Sequence, residues 1–189
     1  MDIRNLSVVR QLFANTVLTH KVQEVAAEIQ EDKAKCIKTT NILIVSLILI
    51  FLFLQAFFQN KIFSYIGIGL TISEVIFLII QLTFNFDKKM DLHKKAAIKY
   101  MELRGSYLSL ITDIMNEKID SDNIIIRREQ LKKEYNSICD SAPQTNRKEY
   151  CEAQKRLGTG KNDGEDFTWS DKEIDRFLPE ALRLEKKIN

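Results

Sequence analysis

The sequence predicts an all-α membrane protein. A two-helix transmembrane hairpin is flanked by N-terminal and C-terminal cytoplasmic helices that form a helical bundle, and the whole is expected to oligomerise. Three observations carry this. Two almost unbroken apolar runs, Ile42 to Phe58 and Ile62 to Phe84, are separated only by Gln59-Asn60-Lys61. Lysines bracket the pair of runs and are nearly absent between them. The remaining chain is charged and periodic at helical spacing, with no strand-rich stretch.

At about 1.5 Å per residue the two runs reach roughly 25 Å and 35 Å as helices, enough to cross a bilayer. Leu, Ile, Phe and Val give each run roughly 6 kcal/mol on an insertion scale. Glu74, inside the second run, costs roughly 3 kcal/mol near the bilayer centre, so insertion still wins. Three polar residues suffice for a tight hairpin tip and for nothing larger. A soluble bundle of 189 residues would have to enclose two helices that are apolar on every face, and such helices belong in lipid or in a much larger core.

With 28 basic and 26 acidic residues the formal charge is +2, so no nucleic-acid partner is expected. Placement matters more than the sum. Lys33, Lys35 and Lys38 precede the first run, Lys88, Lys89, Lys94 and Lys95 follow the second, and Lys61 stands alone at the tip. Lysine-rich flanks stay inside, which puts both termini in the cytoplasm. The first apolar run begins after a charged helical stretch and is followed by a second span, unlike a secretory signal peptide. Cys36, Cys139 and Cys151 lack paired spacing and His20 and His93 are isolated, so neither disulfides nor a zinc site are expected.

Residues 1–41 read as an amphipathic helix. Leu6, Val9, Phe13 and Val17 form one stripe, and Val22, Val25, Ala26 and Ile29 continue it at i, i+3, i+4 and i+7. No Pro or Gly interrupts it, so it is expected to continue into the first span as one rod, with a bend near Thr39-Thr40. After the hairpin, residues 42–84, a cytoplasmic helical region covers residues 85–157. Its first helix runs from Asp87 to about Glu117, with Ala96, Ala97, Tyr100, Leu103, Leu108 and Ile111 on its apolar side and Gly105 as a local weak point. Asp120-Ser121-Asp122-Asn123 reads as a polar turn, followed by a helix from about Ile125 to Asp140 bearing Leu131, Tyr135 and Ile138. Pro143 ends that segment. Asn146 and Glu149 form a capping box for a short helix reaching Leu157, which Gly158 stops. Residues 158–189 hold a flexible loop, Gly158 to Glu165, and a last amphipathic helix. Ser170 and Glu173 cap that helix, Ile174, Phe177, Leu178 and Leu182 line it, and Pro179 is placed to kink or shorten it.

No enzyme constellation is present, and no cofactor is expected. Gly158-Thr159-Gly160-Lys161 looks like the end of a phosphate-binding loop, but Asn162 follows the lysine and no strand precedes it. The informative polar residues lie in the second run. Ser64, Gly67, Thr71, Glu74, Gln81 and Asn85 share one helical face at steps of three and four, with Leu78 as the only break. Such a stripe turns away from lipid, toward other helices or water. The first run offers only Ser46, Gln55 and Gln59 against it, so a lone hairpin is expected to shelter Glu74 poorly. Several hairpins around an axis would instead line a path with carboxylates, which favours cations. Two other readings stay open: Glu74 as a packing hydrogen-bonder, and Glu74 as a proton relay. The pairs Arg127-Arg128, Lys132-Lys133, Arg147-Lys148 and Lys155-Arg156 are either solvated helix faces or sites for lipid headgroups or a phosphorylated ligand.

Phe86, Leu92-His93, Ala96-Ala97, Tyr100 and Leu103 follow the second run on one long helix. Tyr135 to Leu157 then contains Ser141-Ala142-Pro143-Gln144-Thr145, Glu149-Tyr150 and Ala153. In this order and spacing, residues 10 to 160 resemble the SLATT family, two-transmembrane effector domains associated with nucleotide-signalling operons in bacteria. The resemblance implies an inner-membrane effector of antiphage or interbacterial conflict. Such an effector responds to a nucleotide second messenger or to a partner protein that makes or senses one, then perforates or depolarises the membrane. It carries over no catalytic residues, and the final stretch from about Trp169 to Ile188 lies outside it.

Overall fold

A computed structural model describes residues 2–58, 60–159 and 168–184. Gln59 of the hairpin tip, Gly160 to Glu165 of the expected loop, with Lys161 and Asn162, and the last residues through Ile188 lie outside the described residues. Among the described residues six α-helices follow in order: α1 Ile3–Phe58, α2 Lys61–Phe84, α3 Phe86–Met115, α4 Ser121–Ser141, α5 Arg147–Leu157 and α6 Asp171–Asp175. A single 3-10 turn, Glu180–Leu182, comes last. No strand occurs among the described residues. The chain divides into two compact units, one of residues 1–27 with 92–189 and one of residues 28–91.

The first unit is a helical bundle with its own core. The predicted α1 stripe is buried at Leu6, Val9, Phe13, Val17, Val22, Val25 and Ala26, while Ile29 is half-buried. From α3 come His93, Ala96, Ala97, Tyr100, Leu103, Tyr107, Leu110, Ile111 and Ile114. Leu108, expected on this face, is only half-buried. The helical period carries the stripe from Leu103 to Tyr107 and on to Leu110 and Ile111. Ile124, Leu131 and Ile138 enter from α4, and Ala153 from α5. The Tyr107 hydroxyl is buried without a partner.

The helix ends have identifiable causes. α3 stops in a Schellman motif in which Lys118 N donates to Asp113 O at 3.0 Å and Glu117 N to Ile114 O at 3.1 Å. Glu117 takes the left-handed conformation there, at φ 53°. The expected turn at Asp120 to Asn123 is instead the start of α4: Asp120 is its N-cap, accepting from Asn123 N at 2.8 Å. The helix therefore begins four residues before Ile125. α5 has the predicted capping box between Asn146 and Glu149, and Gly158 ends it at φ 64°. The last helix is much shorter than its apolar pattern suggests. The Ser170–Glu173 box starts α6, but α6 ends at Asp175 and Pro179 precedes only the 3-10 turn.

The second unit holds the apolar hairpin. α1 passes Thr39 and Thr40 without interruption, so no helix break marks the start of the first run. Phe63 meets Phe51 and Phe58 near the tip, at 6.3 and 6.2 Å between centroids. Asn60 caps α2 by accepting from Ile62 N at 3.0 Å. Asn85 serves two helices. In the left-handed conformation at φ 34° it ends α2, and its Oδ1 accepts from Lys88 N at 3.1 Å in the first turn of α3. None of the most apolar window of α1 is buried within the structure, as expected for a surface whose solvent is lipid.

Of the left-handed residues that end helices, Gly158 and Glu117 give opposite predictions. A Cβ at Gly158 would lie 2.6 Å from Arg176 Nη2, so Gly158→Ala should cost about 1–2 kcal/mol. Glu117→Gly relieves the same backbone penalty and should stabilise by about 0.5–1 kcal/mol. Thermal unfolding in detergent should place the two variants on either side of the unaltered chain.

Candidate functional site

The predicted polar stripe of α2 exists as a face, and it turns toward α1 within one hairpin. Gly67 and Glu74 are buried, Ser64 and Gln81 are half-buried, and Thr71 and Asn85 are exposed. Thr71 Oγ1 spends its hydrogen on its own helix, donating to Gly67 O at 2.9 Å. Glu74 is 8 % exposed. This corrects the expectation that a lone hairpin would shelter it poorly. The reason is Asn41, the residue just before the first apolar run. With its nitrogen turned toward Glu74, the Asn41 amide donates to Oε2 at 3.3 Å and also to Oε1. An antiparallel hairpin sets the base of its first helix beside the latter half of its second. Asn41 was therefore available to Glu74, although it lies outside the apolar run in which partners were sought.

A groove lies on either side of this pair. Toward the base, Lys38, Asn41, Gln81, Asn85 and Asp87 line a volume of about 380 Å³, whose apolar wall includes Ile37, Leu78 and Leu82. Lys38 and Asp87 form an ion pair of 2.9 Å across the helices there, and Lys33 lies 6.0 Å from the Phe86 ring centre. Toward the tip, Leu52, Gln55, Ser64, Gly67 and Thr71 line about 230 Å³. A methyl group placed on Gly67 would meet nothing within 4 Å, so this glycine keeps a groove open and does not serve close helix contact. Gln55 Oε1 and Gln81 Oε1, one at each groove, are buried acceptors without a donor. Each such orphan costs on the order of 1–3 kcal/mol. In sequence along the seam, the order is groove, Glu74–Asn41 pair, groove.

The basic candidates of the bundle are dispersed. Arg127 lines a groove of about 450 Å³ between α3 and α4, together with Lys118, Ser106, Ser109, Asp113 and Asp120. Arg128 instead donates to Asn5 Oδ1 at 2.8 Å and pairs with Glu129 at 3.2 Å. Lys132 and Lys133 are exposed on α4, and Arg147 and Lys148 are exposed in the first turn of α5. No group of three or more potential metal ligands gathers among the described residues.

Several polar contacts escaped the sequence reading. His93 Nδ1 meets Gln23 Oε1 at 2.7 Å, and Gln23 Nε2 donates to the Pro143 carbonyl at 3.3 Å. This chain ties α3 to α1 and to the segment after α4. Tyr100 Oη meets Cys139 Sγ at 3.1 Å and Tyr135 Oη meets Thr19 Oγ1 at 3.1 Å, with the two rings 5.6 Å apart. Burial pushes the Tyr100, Tyr107 and Tyr135 hydroxyls above their usual range, so all three stay neutral, Tyr100 and Tyr135 as hydrogen-bonding groups. Burial also holds His20 below the usual imidazole range. The deepest charge is Arg10, fully buried, with Nη2 2.6 Å from Asp175 Oδ1. Its place inside the apolar stripe of Leu6, Val9 and Phe13 was the available signal.

None of the curated proteins and none of the solved structures compared with the chain matches it. One sequence family does, over residues 6–173, a range that takes in the bundle from Leu6, the whole hairpin and α3 to α5. With its paired apolar helices and helical flanks, the chain belongs to the SMODS and SLOG-associating 2TM effector domain family 4, a branch of the SLATT effectors.

Proposed function

We propose that this membrane effector of conflict systems acts as an oligomeric, normally closed pore in the bacterial inner membrane, with both termini cytoplasmic. The second spans line the path, and a nucleotide signal or a partner protein opens it. The observation that carries the reading is the seam itself. Within one hairpin it leaves Gln55 and Gln81 acceptors unsatisfied and offers Glu74 a single neutral partner. Hydrocarbon supplies no donors, so neighbouring hairpins or water must complete it. In the closed form Asn41 holds the Glu74 carboxylate between the two grooves. Opening separates the pair and turns Glu74 toward the shared path, where a ring of carboxylates favours cations.

A membrane-tethered platform is the second reading. It is favoured by the α3–α4 groove, whose lining sets Arg127 and Lys118 beside two serines and the Asp113 and Asp120 carboxylates, a mixed-charge surface that suits a polar partner. Here the hairpin is an anchor and the bundle does the recognising. The family is not a known enzyme family, and both readings are binding functions.

Ion flux from liposomes separates them. Glu74→Ala should lower the preference for cations over anions several-fold while membrane insertion is unchanged, and unaltered selectivity would assign Glu74 to packing. Asn41→Leu removes the amide but keeps the bulk, and should raise flux without any added nucleotide. Replacing residues 42–84 by an unrelated two-pass anchor should abolish activity in cells if the hairpin is a pore, and preserve it if the hairpin only tethers. A panel of cyclic nucleotides added to the liposomes tests the trigger directly.

A further inference from the structure

The last described segment, residues 168–184, is fastened to α1 by polar bonds that surround a buried apolar base. Gln11 satisfies both sides of the Trp169 backbone, donating from Nε2 to Trp169 O at 2.6 Å and accepting at Oε1 from Trp169 N at 3.0 Å. The indole Nε1 donates to Asn15 Oδ1 at 2.7 Å. Next to Gln11 on α1, Arg10 donates to Asp175 Oδ1 at 2.6 Å, to Asp171 Oδ1 at 3.3 Å and to the Leu182 carbonyl at 3.3 Å. Asp175 Oδ2 in turn accepts from Leu184 N at 3.0 Å, closing the segment on itself. Arg176 fastens it to the end of α5 through the Leu157 and Gly158 carbonyls, at 3.1 and 2.8 Å. Trp169, Ile174 and Leu178 are buried beneath.

Three features bear on release of this segment. A helix of five residues and a single 3-10 turn do not persist without packing, so the segment is ordered by docking and not by its own backbone. Beside the apolar anchors Trp169, Ile174 and Leu178 it carries a buried ion pair, Arg10 fully buried and Asp175 only 3 % exposed. Buried charges give up hydration that they regain on release, unlike an apolar anchor of the same size. The docked state is also incomplete: Arg10 Nε is buried without an acceptor, a penalty that undocking removes. The helix being gripped is the one that continues without a break into the first apolar run.

We propose that residues 168–184 form an autoinhibitory latch on α1. Docked, the latch holds the effector in its resting form, and its release exposes the Arg10, Gln11 and Asn15 face of α1 and permits activation. The latch rests on the effector reading, but not on that effector being a pore.

The test uses the full chain. Asp175→Asn removes the charge facing Arg10 while keeping the side-chain shape, and Gln11→Ala removes both bonds to the Trp169 backbone from the half-buried edge of α1. Hydrogen exchange of Trp169 to Leu184 is compared with that of α3 and α4. Output is read as growth arrest on induction in a bacterial host, and dye release from liposomes is read separately. Exchange in the latch should rise by about tenfold or more, as expected for loss of a charged hydrogen bond, with α3 and α4 unchanged. Growth arrest should then appear at an induction level that the unaltered chain tolerates. Arrest without dye release supports the latch and removes the pore. Faster exchange in the latch without increased arrest overturns the proposal. So does exchange that stays unchanged in both variants, or loss of protection in latch and bundle together, which would make the segment ordinary core.

Discussion

Hydrocarbon has no partner to offer a backbone amide, and the chain from Ile42 to Phe84 is shaped by that constraint. Only a helix satisfies its own backbone there. Both apolar runs are accordingly unbroken helix, and Asn85, just past the second, both ends α2 and caps α3. Side chains face the same rule without the same remedy. Serine and threonine comply by bonding to the carbonyl four residues back, as Ser46, Thr71 and Thr83 do. Glutamine and glutamate are too long for that device. Among the described residues, Gln55, Glu74 and Gln81 are therefore the ones whose partners must come from elsewhere, and of these Glu74 alone finds one within the hairpin.

How much of this was legible follows from the range over which each signal acts. Capping boxes are local, so Asn146–Glu149 and Ser170–Glu173 could be named from four consecutive residues. Apolar periodicity is nearly as local, and the α1 and α3 stripes form the bundle core with small shifts at Ile29 and Leu108. The end of α3 was harder to read because its Schellman motif uses Glu117 where a glycine normally advertises it. The last helix was overread for a related reason. Ile174, Phe177, Leu178 and Leu182 have helical spacing, but Pro179 and the bonds of Asp175 to Arg10 and Leu184 set the backbone there.

The seam shows where local reading runs out. Its residue list comes directly from steps of three and four, but the direction it faces depends on the other helix of the hairpin. Asn41 lies outside the apolar run and was grouped with the preceding helix, so the partner of Glu74 was missed. Arg10 was missed in the opposite way. It sits inside an apolar stripe, where a cation reads as an interruption until a carboxylate distant in sequence is brought against it. Both cases pair residues whose separation along the chain exceeds any window of periodicity.

Glu74 and Arg10 also differ in how their charges are met, and the difference bears on what each can do. Arg10 has a buried carboxylate of opposite sign at 2.6 Å and the exposed Asp171 carboxylate at 3.3 Å; removing Asp175 leaves a buried cation with only the weaker of the two countercharges. Glu74 has a neutral amide, which can orient a carboxylate or its protonated form but cannot neutralise a charge. A pairing that needs no particular charge state leaves Glu74 free to exchange its partner for water or a cation without leaving a buried countercharge behind. A lysine or arginine at position 41 would have locked the same geometry far more firmly. Among the described residues the hairpin thus holds its buried acid with the weaker of the two devices, which is what the proposed opening requires.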